Sequence, residues 1–180
     1  LYDYYGACIV TEGTCDCDET SYANGYSLAD YPEPFVVDGV YDETIRYVVG
    51  DDSTAADTLA IADVGTNLQS IEESGEAAIT TLLASEIADS YEDYNLIVAG
   101  TACDNDLVET VFGYTCEAWP FAAGEGVIEL VENGDNLAIL ITGGVTGDTR
   151  RAGKALAAWD TYGLCGNSVL VEEDDGTVLV

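Results

Sequence analysis

One plan of elements occurs three times along the chain and constrains the fold more than any other feature. A short apolar strand ends in glycine, a few small polar residues follow, and a helix then begins. The three copies cover residues 45–68, 95–112 and 137–159. The glycine lets the chain turn without a Cβ clash, and Asp, Ser or Thr side chains cap the first N–H groups of the helix. Continuous apolar strands that alternate with helices predict a mainly parallel sheet covered on its faces.

Two further segments predict β-hairpins. Residues 127–132 alternate between apolar and charged side chains, and Asn133-Gly134 is a strong turn signal before the strand at 137–142. Residues 168–172 and 177–180 flank an Asp-Asp-Gly turn. A further helix is predicted at about 75–89. The predicted fold class is α/β, with a mainly parallel sheet built from three strand-Gly-helix units, added β-hairpins and an extended N-terminal segment.

The N-terminal segment, residues 1–40, differs in composition from the rest of the chain. It holds half of the twelve tyrosines, three of the six cysteines, two of the three prolines and no basic residue. It has too few aliphatic residues for a core of its own, so it must lie on the rest of the chain or on a neighbouring copy. We therefore predict an extended segment at 1–40 and an α/β domain with a C-terminal β-hairpin at 41–180.

The charge balance excludes several classes of function. The chain has 35 acidic residues, four basic residues and no histidine, which gives a formal net charge of −31. Nucleic-acid binding depends on phosphate neutralisation by Lys and Arg, so it is not expected, and neither is binding to an anionic membrane surface. Without histidine, Ser-His-Asp and Cys-His catalysis is impossible within the chain. No apolar run approaches the roughly 18 residues that a membrane span needs, so membrane insertion is not expected either.

The few basic residues are concentrated near position 150. The loop Gly143–Gly147 before a helix could cradle phosphate, but it lacks both the dinucleotide fingerprint and the ending of a P-loop. In so acidic a chain, cations are scarce partners that can hold carboxylates in fixed geometry. We therefore predict ion-pair struts, within one chain or between subunits, at Arg46, Arg150, Arg151 and Lys154.

Several acidic clusters suit divalent cations. Ca²⁺ prefers oxygen ligands, and Asp51, Asp52 and Asp57 are the candidate ligands for such a site. No cluster matches the twelve-residue EF-hand loop, and the alternative is a solvated acidic face. Apart from this candidate Ca²⁺, the sequence predicts no cofactor. Acidic pairs occur throughout the chain, so they do not indicate an enzyme either.

The cysteines favour disulfides. The chain begins at Leu1 and contains no methionine, which favours the removal of a secretory leader and an oxidising destination. Two cysteines, 103 and 116, bracket one short helix and favour a local pair, whereas the other pairings stay open and include bonds between chains. A Cys-x-Cys spacing without histidine fits zinc poorly. The disulfide candidates are Cys8, Cys15, Cys17, Cys103, Cys116 and Cys165.

Residues 44–72 and 94–160 together resemble the S-layer protein family of methanogenic archaea and their relatives. The first stretch has a Val-Val-Gly strand end before an Ala-rich helix, and the second ends in Asp148-Thr-Arg-Arg-Ala-Gly153, the most specific element. The resemblance implies a secreted structural protein that tiles into a cell-envelope lattice, with no catalytic residues. Family members are usually much longer, with inserted β domains that are nearly absent here. A compact, cysteine-rich chain also suits a sheath or a filament.

The sequence thus predicts an extracellular structural protein, at the cell surface or in the cell wall, that self-assembles into an S-layer lattice, sheath or filament. Its partners would be copies of itself, held by β-pairing at residues 1–10 or 177–180, by disulfides and by ion pairs. The alternative is a monomeric secreted acidic module that binds cations or adheres to a surface. An enzyme is not expected, because the chain shows no recognisable catalytic constellation.

Overall fold

The apolar strands assemble into one mixed sheet in the computed structural model of the chain, which describes residues 23–73, 78–174 and 177–179. The strands are β1 Val36–Val37, β2 Val40–Tyr41, β3 Arg46–Val49, β4 Thr81–Leu83, β5 Leu96–Ala99, β6 Gly126–Asn133, β7 Asn136–Gly143, β8 Ser168–Asp174 and β9 Thr177–Leu179. The helices are α1 Ala55–Ile71, α2 Ala84–Ile87, α3 Asp106–Phe112 and α4 Thr146–Ala157, with a 3-10 helix at Tyr91–Asp93.

The sheet has the strand order β4-β3-β5-β7-β6-β8-β9. The first four strands pair in parallel, and Val98 of β5 lies level with Val48 of β3 and Leu140 of β7. β6 is antiparallel to both of its neighbours, and β8 and β9 form an antiparallel hairpin. The predicted α/β class is confirmed. The hairpin predicted before the strand at 137–142 is found as β6 and β7, so the third strand is reached through that hairpin.

Helices cover both faces of the sheet because alternate residues of each strand point to opposite sides. Ile97 and Ala99 of β5 belong to the core beneath α1 and α4, whereas Leu96 and Val98 belong to the core beneath α2 and α3. All four side chains are fully buried. None of the helices in the described ranges is long and apolar enough to cross a membrane.

The helix starts follow the predicted caps with one correction. Thr54 caps α1 through the N–H of Asp57, and Asn105 caps α3 through the N–H of Leu107. The helix that the repeated pattern predicts after β7 begins at Thr146, with Val145 as its N-cap residue in place of an Asp, Ser or Thr. Asp148 therefore lies in the first turn of α4, where its carboxylate can turn back to unpaired N–H groups.

The helix predicted at about 75–89 is wrong for most of its length. Residues 81–83 form strand β4, which adds in parallel to the edge of β3, and α2 covers only 84–87. Edge pairing with β3 outweighs the helix propensity of this alanine- and leucine-containing stretch, because tertiary contacts override a weak local preference. Residues 75–77 of the prediction lie outside the described residues.

The described part of the N-terminal segment is not extended. Residues 23–35 form turns, and β1 and β2 form a two-stranded ribbon, so the boundary predicted at residue 40 falls inside that ribbon. Leu28, Tyr31 and Phe35 are buried in the core that also contains α1 and α4. This part of the segment therefore lies on the α/β body, as one of the two predicted placements had it. The prediction for residues 1–22 lies outside the described residues.

Candidate functional site

The carboxyl ends of the parallel strands form the edge of the sheet at which α/β proteins bind ligands in a crevice. The polar caps after β3, β5 and β7 all meet there. They include buried Asp57 and Asp148, together with buried Asn105. This edge is therefore the candidate site, and the contacts of its loops decide what it can do.

The loops at this edge touch each other backbone to backbone. A Cβ placed on Gly50 would overlap the carbonyl oxygen of Asp104 in the loop after β5. A Cβ placed on Gly144 would overlap the carbonyl oxygen of Ala122. The strand-ending glycines therefore allow close backbone contact between the loops at this edge.

The most specific sequence element, residues 148–153, forms an interlock at the same edge. One carboxylate oxygen of Asp148 accepts hydrogen bonds from the N–H of Gly124 at 2.8 Å and of Val145 at 3.1 Å. The other oxygen lies 3.0 Å from Nη1 of Arg151, which also donates to the carbonyl of Gly124 at 3.0 Å. Because the Asp148 and Arg151 side chains are only 3% and 16% exposed, this pair ties α4 to the 122–126 loop away from bulk water. Arg151 is thus an internal strut.

The other three predicted struts behave differently from one another. Arg46 donates to the carbonyls of Glu43 and Ile45, and its guanidinium lies 4.3 Å above the ring of Tyr94. Its partners in the described structure are therefore carbonyls and a ring, which corrects the ion-pair prediction. Arg150 reaches Asp63 of α1 at 3.9 Å. Lys154 is exposed and has no ion pair with any residue that the structure describes.

The predicted calcium ligands do not form a site. The carboxylate of Asp51 accepts hydrogen bonds from the hydroxyl and the N–H of Ser85, which lower its pKa. The carboxylate of Asp57 accepts the N–H of Thr54 at 2.7 Å as part of the α1 cap, and Asp52 is exposed. Within the described ranges, no group of three or more His, Cys, Asp or Glu side chains could hold a metal ion. The described structure therefore does not bring Asp51, Asp52 and Asp57 together as a metal site, and two of the three carboxylates accept hydrogen bonds from their own chain.

A disulfide joins Cys103 to Cys116, with 4.7 Å between their Cα atoms, and the predicted local pair is confirmed. It links the loop after β5 to the segment after α3. Cys165 is buried. Cys8, Cys15 and Cys17 lie outside the described residues, so their predicted bonds stay predictions.

The segment after the disulfide carries an aromatic cluster that the sequence analysis missed. The rings of Tyr114, Trp119 and Phe121 contact one another edge to face, with centroids 5.2 to 5.8 Å apart. Trp119 donates to the carbonyl of Gly143 at 3.2 Å, and the Tyr114 hydroxyl donates to Glu129 at 2.7 Å. The signal was present as three aromatic residues within eight positions, next to a cysteine. The cluster covers the ends of β6 and β7.

We expect loss of the Cys103–Cys116 bond to lower the free energy of unfolding by about 3 kcal/mol, because the bond closes a loop of 13 residues in the unfolded chain. The measurement is urea unfolding of the double variant Cys103→Ser/Cys116→Ser, followed by circular dichroism. Adding reductant to this variant serves as the control, since it reports the remaining cysteines alone. Equal unfolding midpoints for variant and oxidised wild type would contradict the prediction.

Glu129 gives the fold a pH dependence. Burial raises the pKa of its carboxyl group, and the hydrogen bond from Tyr114 offsets part of that effect. A raised pKa means that the folded state binds this proton more tightly than the unfolded state does. This contribution to stability is therefore complete below the ordinary pKa of 4.5 and is lost as pH rises through the raised value.

We accordingly expect Glu129→Gln to raise the melting temperature at pH 7 and to change it little at pH 4. Glutamine keeps an oxygen that accepts the hydrogen bond from Tyr114 but removes the buried charge. Thermal unfolding at both pH values checks this expectation. Glu109→Gln, which removes one charge from an exposed position on α3, controls for the relief of general repulsion. If both variants gain equally at pH 7, the burial of Glu129 is not the cause.

At the opposite ends of the parallel strands, asparagine side chains bind backbone groups, which the sequence did not reveal. Asn133 donates to the carbonyls of Tyr91 and Tyr94, at 2.8 and 2.9 Å. Asn95 accepts the N–H of Leu137 at 2.9 Å, and Asn24 donates to two carbonyls of the β6–β7 turn. Each of these amides satisfies backbone groups at a strand end. Side-chain hydrogen bonds thus stabilise the loops at both ends of the parallel strands.

Comparison with protein-family models gives no match to the chain. Comparison with curated proteins gives no match in sequence either. The S-layer resemblance therefore stays a prediction.

Proposed function

We propose that this protein is an extracellular structural subunit that self-assembles into a cell-envelope polymer. The polymer is a lattice, a sheath or a filament, and its location is the cell surface or the cell wall. The observation that carries the proposal is the close backbone contact between loops at the carboxyl edge of the sheet, where α/β proteins usually bind ligands.

The closed edge favours a structural role over a catalytic one. Open α/β sheets that act on small molecules keep a crevice at this edge. Here Gly50 lies against Asp104, Gly144 lies against Ala122, and the Asp148 carboxylate fastens one of the loops. An edge of this kind contributes rigidity to the unit. Rigidity is what a load-bearing repeat unit needs.

The ends of the sheet supply surfaces for pairing between copies. Within the described residues, β4 and β9 each pair with one strand only and occupy opposite ends of the sheet. Their unpaired backbone groups are templates for another chain. β8 runs in the same direction as β7 and β4, because β6 between β7 and β8 is antiparallel to both. β9 runs opposite to β8, so β9 and β4 run in opposite directions. β9 can therefore meet β4 of the next copy as an antiparallel pair. Residues 1–10, the other predicted edge, lie outside the described residues.

The resemblance to S-layer proteins supports the same conclusion, and the Cys103–Cys116 bond is compatible with an extracellular location. The alternative of a cation-binding module has lost its candidate site at Asp51, Asp52 and Asp57. The proposal keeps the three kinds of contact between copies that the sequence predicts. These are β-pairing at strand edges, further disulfides, and ion pairs between subunits.

Electron microscopy and sedimentation velocity of the purified full chain test the proposal, each with and without reductant. We expect regular arrays or long assemblies, which loosen in reductant if disulfides link the chains. The control is the same material unfolded and diluted in denaturant, which sets the sedimentation of single chains. Uniform folded monomers under all conditions, with or without calcium, would overturn the proposal.

A further inference from the structure

The fold uses half of the positive charge of this chain internally. Arg151 is 16% exposed and bound to Asp148, and Arg46 is bound to two carbonyls and the ring of Tyr94. Two basic residues are left for the surface, against 35 acidic residues in the whole chain. Their position therefore marks the place where an anionic partner can approach.

Both remaining cations lie on α4. Arg150 and Lys154 are four residues apart, so they are neighbours on one face of the helix. The Arg150 side chain is 40% exposed, and its contact with Asp63, at 3.9 Å, is long for an ion pair. Lys154 is exposed and has no ion pair among the described residues. We call these two residues the α4 basic strip.

The strip has an apolar neighbour. α1 packs beside α4, where Gly153 lies against Ala60. Leu59 of α1 is 40% exposed, and it lies one helical turn before Asp63, the residue that Arg150 contacts. A partner that covers the strip can therefore also remove Leu59 from water. Cations beside an exposed leucine suit a protein surface better than a free small anion.

We propose that the α4 basic strip is the surface on which the acidic surface of a second copy of this chain docks. This inference rests on the proposed function and names one contact of the polymer. The occupant follows from charge complementarity: with a net charge of −31, the chain presents carboxylates over most of its own surface. Two such bodies repel each other in most orientations, and opposite charges meet only where the strip of one faces the carboxylates of the other. Complementary charges of this kind fix orientation and register.

Ionic strength permits this contact. At about 0.15 M salt the Debye length is about 8 Å, so repulsion between distant carboxylates is largely screened while a contact pair is not. The strip and its acidic partner surface are different parts of the molecule. Where the acidic partner surface lies apart from the strip, the contact is heterologous, and heterologous contacts repeat into rings or open polymers. This geometry agrees with the antiparallel meeting of β9 and β4 proposed above.

The test is sedimentation velocity of the full chain over a range of concentrations in about 0.15 M NaCl. We expect Lys154→Gln to weaken association about tenfold and Lys154→Arg to leave it within about twofold of wild type. Lys154 is exposed, so we expect both variants to fold, which circular dichroism checks. The matched control is Thr110→Glu, at an exposed position on α3, on the other face of the sheet. This control and Lys154→Gln each make the chain more negative by one charge.

The outcomes separate the two proposals. If the wild type stays monomeric at every concentration, the proposed function and the docking surface both fall. If the wild type assembles and Lys154→Gln assembles equally well, only the docking surface falls. An equal loss in Lys154→Gln and Thr110→Glu would assign the effect to net charge and overturn the role of the strip. Loss in Lys154→Gln alone, with rescue by Lys154→Arg, is the expected result.

Discussion

We expect Gly144→Ala to lower the free energy of unfolding by about 4 kcal/mol. The added Cβ would overlap the carbonyl oxygen and carbon of Ala122. That carbonyl cannot move freely, because it accepts the N–H of Glu125 at 3.1 Å, and the carbonyl of Glu125 in turn accepts the N–H of Gly144 at 2.9 Å. The substitution therefore separates the 122–125 turn from the end of β7.

Gly147→Ala is the matched control, three residues further along. Nothing lies within 4 Å of a Cβ at Gly147, which is exposed in the first turn of α4. Alanine is the better helix former, so we expect this variant to be unchanged or more stable by up to about 1 kcal/mol. Urea unfolding followed by circular dichroism measures both. A Gly144→Ala protein as stable as wild type would show that the loops at the carboxyl edge are not in tight contact.

The central strands could be predicted from the sequence because they are buried on both faces. Tyr47-Val-Val49 and Leu96–Ala99 read as short, continuous apolar runs closed by glycine, and that pattern has few other structural solutions. The Asn133-Gly134 turn fixed the β6–β7 hairpin equally well, since few dipeptides suit such a tight turn. These features are local, and local chemistry was sufficient to find them.

Features that depend on distant contacts could not be predicted. Residues 81–83 become a strand only because the edge of β3 is there to receive them, and nothing in their own composition indicates it. The amide of Asn133 is one polar group among many until the carbonyls of Tyr91 and Tyr94 are placed beside it. Arg46 illustrates the same limit, because its partners are carbonyls and a ring and not the abundant carboxylates.

Some contacts of the candidate site could be predicted from the sequence, and others could not. The sequence pointed to residues 148–153 as specific and to their arginines as struts, and Arg151 is one. It did not reveal that Asp148 would accept two backbone N–H groups from different loops, since Gly124 is 24 positions away. The consequence concerns function. In the loop that superficially suits phosphate binding, the N–H of Val145 is bound to a carboxylate of the chain itself, and the N–H of Gly144 is bound to the carbonyl of Glu125.

The Asp148 interlock leads to the second large prediction: Asp148→Ala should lower the free energy of unfolding by about 3 to 5 kcal/mol. The residue is 2% exposed, and its removal leaves the N–H groups of Gly124 and Val145 without the carboxylate. It also leaves Arg151 without its carboxylate partner, although the bond to the Gly124 carbonyl remains. The loss of a largely buried ion pair is the costliest part of this change.

Asp160→Ala is the matched control for the Asp148 interlock, because it also removes one negative charge but from an exposed position. Among the described residues, the Asp160 side chain accepts a hydrogen bond from the neighbouring Thr161 hydroxyl. We expect a change within about 0.5 kcal/mol there. The double variant Asp148→Ala/Arg151→Ala completes a cycle: removing both partners should be less harmful than the sum of the single changes, since no charge is left alone. Urea unfolding of the wild type, Asp148→Ala, Arg151→Ala and the double variant measures the coupling energy between the two residues. Additive losses would mean that Asp148 and Arg151 act independently, and the interlock would then be only a set of separate hydrogen bonds.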